Sequence, residues 1–138
     1  LITGLASALE LAQKRRQKDS ARVKKLRDYF WQKLSAKIIG IKFNGHPDTR
    51  LPNFLNLTLP EADGEALLIY LDEAGIQCST GAACSLLEAE GSRVLQAIGL
   101  SPEEANSSLR FSLGRGTSKK DIDYVLKTLP KIINKLRT

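Results

Sequence analysis

Two thiols and one guanidinium stand out as the side chains whose types and settings suit them to chemistry. Cys78 and Cys84 bracket the run Ser79-Thr80-Gly81-Ala82-Ala83, so five residues separate them. A thiol behind Gly81, Ala82 and Ala83 has no bulky neighbour to shield it, and the backbone there is free to move. As a thiolate, such a group is a nucleophile that a loop can carry to a substrate. The same spacing suits a plain packed cysteine, so Cys84 reads either way. Cys78 ends an apolar stretch, where cysteine commonly serves as a small buried hydrophobe. A disulfide between the two is geometrically open if the loop folds back. Metal binding is a poorer fit. A zinc site takes four ligands, or three and a water, whereas this chain has two Cys and His46, which stands beside Pro47 in a distant loop.

Arg110 is the guanidinium. It interrupts the apolar stretch of "SSLRFSLGR", residues 107–115. Side chains alternate across a strand, so with Leu109 and Phe111 facing a core, Arg110 points over the other sheet face. There it is either an exposed strand arginine or a clamp that grips a carboxylate with two parallel hydrogen bonds. Arg115, between Gly114 and Gly116, reads as a turn residue.

The elements that must position these groups follow from periodicity and punctuation. Leu1 to about Lys37 reads as a long helix, with Leu1, Leu5, Leu9 and Ala12 on one face and Val23, Leu26, Phe30 and Leu34 on another stretch. Its polar middle predicts a break or bend near Asp19-Ser20. Ile41-Lys42-Phe43 is a short strand ended by Asn44-Gly45, and "HPDTRLP" is a loop. "NFLNLTL" alternates Phe54, Asn56 and Thr58 against Leu55, Leu57 and Leu59, which predicts a strand. A helix capped near Asp63 closes at Gly75, and residues 76–79 form a strand. Thr80 to about Gly91 is a loop. Ser92 to Ile98 is a helix, and Ser101-Pro102-Glu103-Glu104 opens another with a capping-box pattern. Residues 108–114 form a strand, and a closing helix contains Pro130, which predicts a kink. The fold class is α+β: a short mixed sheet with helices packed on one face and a long N-terminal helix.

Composition bounds the rest. The chain has 138 residues, 42% apolar and 26% charged, which suits one domain. No apolar run is long enough to span a membrane, and two cysteines do not make a secreted disulfide scaffold, so a cytoplasmic setting is expected. The net charge of +6 draws on "QKRRQKDSARVKKLR", residues 13–27. That run reads as a solvated helix face. A nucleic-acid role is the rival, weakened because no aromatic residue interrupts the run for base stacking. The sequence holds no Met and opens in what reads as a helix already under way, so it is read as a fragment or processed piece.

The ordered set "NG…LPNFLNLTLP", "DGEALLIYLDEAGI", "STGAACS", "SRVLQAIGL" and "SSLRFSLGR" resembles the C-terminal part of pyridoxal-phosphate-dependent cysteine desulfurases of the NifS/IscS type, in the class V aminotransferase family. The resemblance covers essentially the whole chain. It implies that Cys84 is the persulfide-forming cysteine on a mobile loop of the long-loop group and that Arg110 binds the substrate α-carboxylate. It gives Cys78 no catalytic role. The implied reaction takes sulfur from L-cysteine, leaving L-alanine and a Cys84 persulfide for a sulfur-acceptor or iron–sulfur scaffold protein. The implied cofactor is pyridoxal phosphate and the implied parent a homodimer, with no nucleic-acid partner, no membrane and no metal.

One departure limits this. The family's cofactor lysine lies in a Ser-x-His-Lys-type motif, and here the only histidine, His46, precedes proline. The resemblance therefore makes residues 1–138 the C-terminal small domain of a fold-type I enzyme, with the large cofactor-binding domain outside the chain and the fragment alone inactive. The rival from another class is a stand-alone persulfide carrier or protein-interaction module, using Cys84 without cofactor chemistry.

Overall fold

A computed structural model describes residues 1–60, 62–80 and 92–137. Cys84, and the loop reading from Gly81 to Gly91, lie outside the described residues. Among the described residues nine elements follow in order: α1 (Ile2–Ser35), β1 (Lys42–Phe43), β2 (Phe54–Thr58), α2 (Gly64–Glu73), β3 (Ser79–Thr80), α3 (Arg93–Ala97), α4 (Pro102–Asn106), β4 (Ser108–Ser112) and α5 (Lys119–Leu136). The described strands form one sheet in the order β1-β2-β4-β3. Every pairing is antiparallel, so the expected mixed sheet is corrected to an antiparallel one. The α+β class stands. The physical reason for the correction is that β2 and β4 run in opposite directions, although 49 residues separate Thr58 from Ser108 and no short hairpin joins them.

The alternation in β2 and β4 sets two faces. Leu55 pairs with Phe111 and Leu57 with Leu109, and all four are buried against the helices. Phe30 of α1 meets Phe111 edge-on, with ring centres 5.2 Å apart. Leu67 and Leu71 of α2, and Ile122, Leu126, Leu129 and Ile133 of α5, complete this core. Burying each such side chain is worth about 1.5–3 kcal/mol, so this layer holds the sheet.

Helix α1 is one continuous element of 34 residues, without the expected break at Asp19-Ser20. Tertiary contacts override the weak local signal. Asp19 accepts from Arg115 Nε at 3.0 Å. Arg22 donates to the carbonyls of Thr117 at 2.8 Å and Arg115 at 2.7 Å. The helix buries Val23, Arg27, Phe30 and Leu34, whereas Leu1, Leu5 and Leu9 are exposed. Two arginines of the basic run are thus engaged inside the fold, and the expected solvated face is not uniform.

Side-chain caps open α2, α4 and α5. Asp63 accepts from Glu65 N, and Ser101 with Glu104 forms a full capping box. Ser118 and Asp121 form another at the start of α5. Each cap is worth about 1 kcal/mol. Gly75 sits at φ +73°, a conformation that ends α2 and that a side chain would strain. Pro130 lies within α5, which continues to Leu136.

Candidate functional site

The second sheet face carries Asn56, Thr58, Ser108 and Arg110. In β4, Ser108 and Arg110 alternate with buried Leu109 and Phe111, which turns them away from the helices. Register places Arg110 opposite Asn56 on β2 and opposite Ser79 on β3, so its strand is flanked on both sides. Arg110 is exposed, as the alternation predicted. Its guanidinium lies 5.9 Å from the centre of the Phe54 ring, within cation–π range. It makes no hydrogen bond or ion pair among the described residues.

A hollow of about 470 Å³ opens over this face. Phe54, Asn56 and Arg110 form its floor, the 44–51 segment one rim, and Leu95 of α3 with Ile98 at its end another. The first rim is tightly built. His46 Nδ1 accepts from Thr49 N at 2.8 Å and Asp48 N at 3.1 Å. Arg50 Nε donates to the His46 carbonyl at 2.6 Å, and its Nη2 donates to the Asn44 carbonyl. Arg50 also stacks over Phe43, 3.7 Å from the ring centre. Burial, then the like charge of Arg27, lowers the proton affinity of Arg50. The Arg27 guanidinium is buried and ties α1 to this rim through the Leu51 carbonyl at 3.1 Å.

Beneath the floor lies a buried polar network that the sequence reading missed. Asn44 Nδ2 donates to Asn56 Oδ1 at 2.6 Å and Ser108 Oγ at 3.2 Å. Thr58 Oγ1 lies 3.0 Å from Asn44 Oδ1 and 2.9 Å from Ser108 Oγ. Ser108 Oγ donates to the Glu104 carbonyl at 2.6 Å. The available signal was the polar side of the β2 alternation, Asn56 and Thr58, with Ser108 in β4. Asn44 had been assigned only to a turn.

Cys78 is half-buried and packs against the core, as expected of a small hydrophobe. Burial, helped by the negative charge of Asp72, pushes its thiol up to about 11. A thiol so shifted is a poor nucleophile near neutral pH. Arg115 lies in the expected turn and pairs with Asp19. No helix among the described residues is long and apolar enough to cross a membrane.

A Schiff-base cofactor needs a lysine for its aldehyde and a charged partner, commonly an acid, for its ring nitrogen. The described lining of the hollow contains no Lys, Asp or Glu. These residues do not fit as anchors for pyridoxal phosphate. They fit an anion that the guanidinium can hold.

An antiparallel sheet backed by helices, with a strand arginine exposed over its open face, defines an α+β unit. Residues 1–125 match the family model described as Aminotransferase class-V, and the chain belongs to that family. It is 42% identical over 137 residues to "Cysteine desulfurase IscS" of Dictyoglomus turgidum, a match covering 99% of this chain and 35% of that protein. It is 40% identical over 137 residues to "Cysteine desulfurase IscS 1" of Archaeoglobus fulgidus, covering 99% of this chain and 36% of that protein. Among solved structures it is similar to the NifS-like protein from Rickettsia africae, with a TM-score of 0.79 and 31% identity over 95% of this chain and 33% of that one. The chain spans about a third of the length of the curated relatives it matches.

Proposed function

We propose that this chain is the C-terminal small domain of a cysteine desulfurase. Arg110 takes the α-carboxylate of L-cysteine, and Cys84 accepts its sulfur. The overall change balances: L-cysteine and the Cys84 thiol become L-alanine and a Cys84 persulfide. The persulfide then passes to a sulfur acceptor or an iron–sulfur scaffold protein. The parent is read as a cytoplasmic homodimer. Pyridoxal phosphate is held by residues beyond those described, and it supplies the electron sink when bound.

The observation that carries this reading is Arg110 itself. It is a guanidinium with no hydrogen-bond or ion-pair partner among the described residues, at the floor of a hollow of about 470 Å³, in a chain whose relatives are named as cysteine desulfurases. A guanidinium binds a carboxylate through two parallel N–H···O bonds, which orient as well as attract. Orientation matters because the substrate sulfur must meet the incoming thiolate at near contact. What this chain contributes is therefore a fixed grip on the substrate and, through Cys84, the group that receives sulfur.

The test uses the full-length protein with Cys84→Ala. Alanine formation from L-cysteine is expected to collapse, with the cofactor's absorbance retained and no extra sulfur on the intact protein by mass. Unchanged turnover on cysteine ends the assignment of Cys84.

A further inference from the structure

We propose that Asn56 is a second substrate-binding residue: its amide nitrogen, aimed by the buried Asn44–Ser108 network, donates to a carboxylate held by Arg110. The proposal rests on the reading of Arg110 as the carboxylate clamp and adds to it a residue whose orientation the structure determines.

The orientation is given by the atoms Asn44 presents, its Nδ2 to both Asn56 Oδ1 and Ser108 Oγ. Ser108 is fully buried and donates to the Glu104 carbonyl at 2.6 Å. With that proton engaged, Ser108 Oγ can only accept from Asn44, 3.2 Å away, so the atom of Asn44 that faces it is the nitrogen. The same nitrogen lies 2.6 Å from the Asn56 side chain, which must therefore present its oxygen. Thr58 Oγ1 lies 3.0 Å from Asn44 Oδ1 and 2.9 Å from Ser108 Oγ, and its single proton serves one of them. Among the described residues no buried side-chain polar atom lacks a partner.

With its oxygen held inward, Asn56 keeps the amide nitrogen for the hollow. Asn56 lines that hollow together with Arg110, directly across the β2–β4 pair. Side chains opposed in this way have Cβ atoms about 4.5–5.5 Å apart. The nitrogen has no acceptor among the described residues. An –NH2 group offers donors only, as a guanidinium does. Two donor-only groups side by side suit an anion with two oxygens and reject an amine. The class of ligand is a small α-amino acid bound through its carboxylate.

The experiment uses the full-length holoenzyme with Asn56→Asp. This change keeps an oxygen for Asn44 and replaces the outward donor with a negative charge. The KM for L-cysteine is expected to rise about tenfold or more, whereas the inhibition constant of cysteamine, which lacks the carboxylate, does not rise. An unchanged KM, or a parallel loss for both molecules, overturns the proposal. Arg110→Lys, measured beside it, separates the two readings. A raised KM there with none in Asn56→Asp removes only the Asn56 assignment. An unaltered KM in Arg110→Lys removes the carboxylate clamp itself, and Asn56 with it. Should Asn56→Asp not fold, the side-chain NH2 resonance of Asn56 in the unsubstituted holoenzyme decides. It is expected to shift on titration with L-alanine and stay still with ethylamine, and no shift with L-alanine overturns the proposal.

Discussion

Lys37 donates its ammonium to the Leu126 carbonyl at 2.9 Å. Residue 130 is the usual helical donor to that carbonyl, and it is a proline without an N–H. A side chain just past the end of α1 thus makes good the bond that α5 lacks, and the helix runs on to Leu136. The helical bond that Pro130 forfeits at the Leu126 carbonyl is replaced by a tertiary hydrogen bond.

Removing that donor exposes the defect. Lys37→Met is expected to lower unfolding stability by about 1 kcal/mol, read from the midpoint of urea denaturation. Pro130→Ala restores the helical N–H, so the same Lys37 change in that background is expected to cost clearly less. Equal costs in both backgrounds sink the coupling.

Gly64 opens α2 where it meets the end of α4. A Cβ added there lies 2.2 Å from the Asn106 carbonyl oxygen, a distance no real contact tolerates. Gly64→Ala is therefore expected to destabilise by about 1–3 kcal/mol, despite alanine's better helix propensity. A thermal melt showing a gain would show that α4 moves aside freely.

Arg110→Lys keeps the charge and loses the planar fork. In the full-length protein its KM for L-cysteine is expected to rise about tenfold, with the thermal midpoint little changed because Arg110 is exposed. A large drop in the midpoint instead would assign Arg110 to folding rather than to binding.

Cys78 carries a thiol raised to about 11 by burial and Asp72. An acid whose folded value lies above its unfolded value favours the folded state while it stays protonated. Stability linked to Cys78 is thus fully present below the ordinary thiol value, about 8.5, and is lost as pH rises through about 11. Cys78→Ala is expected to flatten that alkaline loss in denaturation curves taken between those limits. An identical alkaline slope in the variant would place the titration elsewhere. Slow alkylation of Cys78 at pH 8 in the folded protein, against fast alkylation in urea, is the matching kinetic readout.

Much of the fold was legible because its signals are local. Period-two alternation turned Arg110 away from Leu109 and Phe111. The caps at Asp63 and Ser101 marked helix starts, and Gly75 marked a stop. These depend only on the direction of a side chain relative to its own backbone, which a strand or helix dictates within a few residues. Within α1, Leu26 packs half-buried against the core as its spacing implies, but Arg27 beside it is buried too, its charge met by Asp28 and the Leu51 carbonyl. Hydropathy assigns an arginine outward, and only its partners explain why it lies inside.

The sequence by itself determined which residues face which way in each element, the order of those elements, and the family to which the motifs point. Tertiary structure alone decided what meets what. Asn44 reaches Ser108 across 64 positions, Lys37 reaches Leu126 across 89, and Arg22 reaches Thr117 across 95. Such contacts arise only when β4 inserts between β2 and β3 and α5 settles beside α1. No local pattern encodes them, because a hydrogen bond depends on where two atoms end up in space and not on how far apart they lie along the chain.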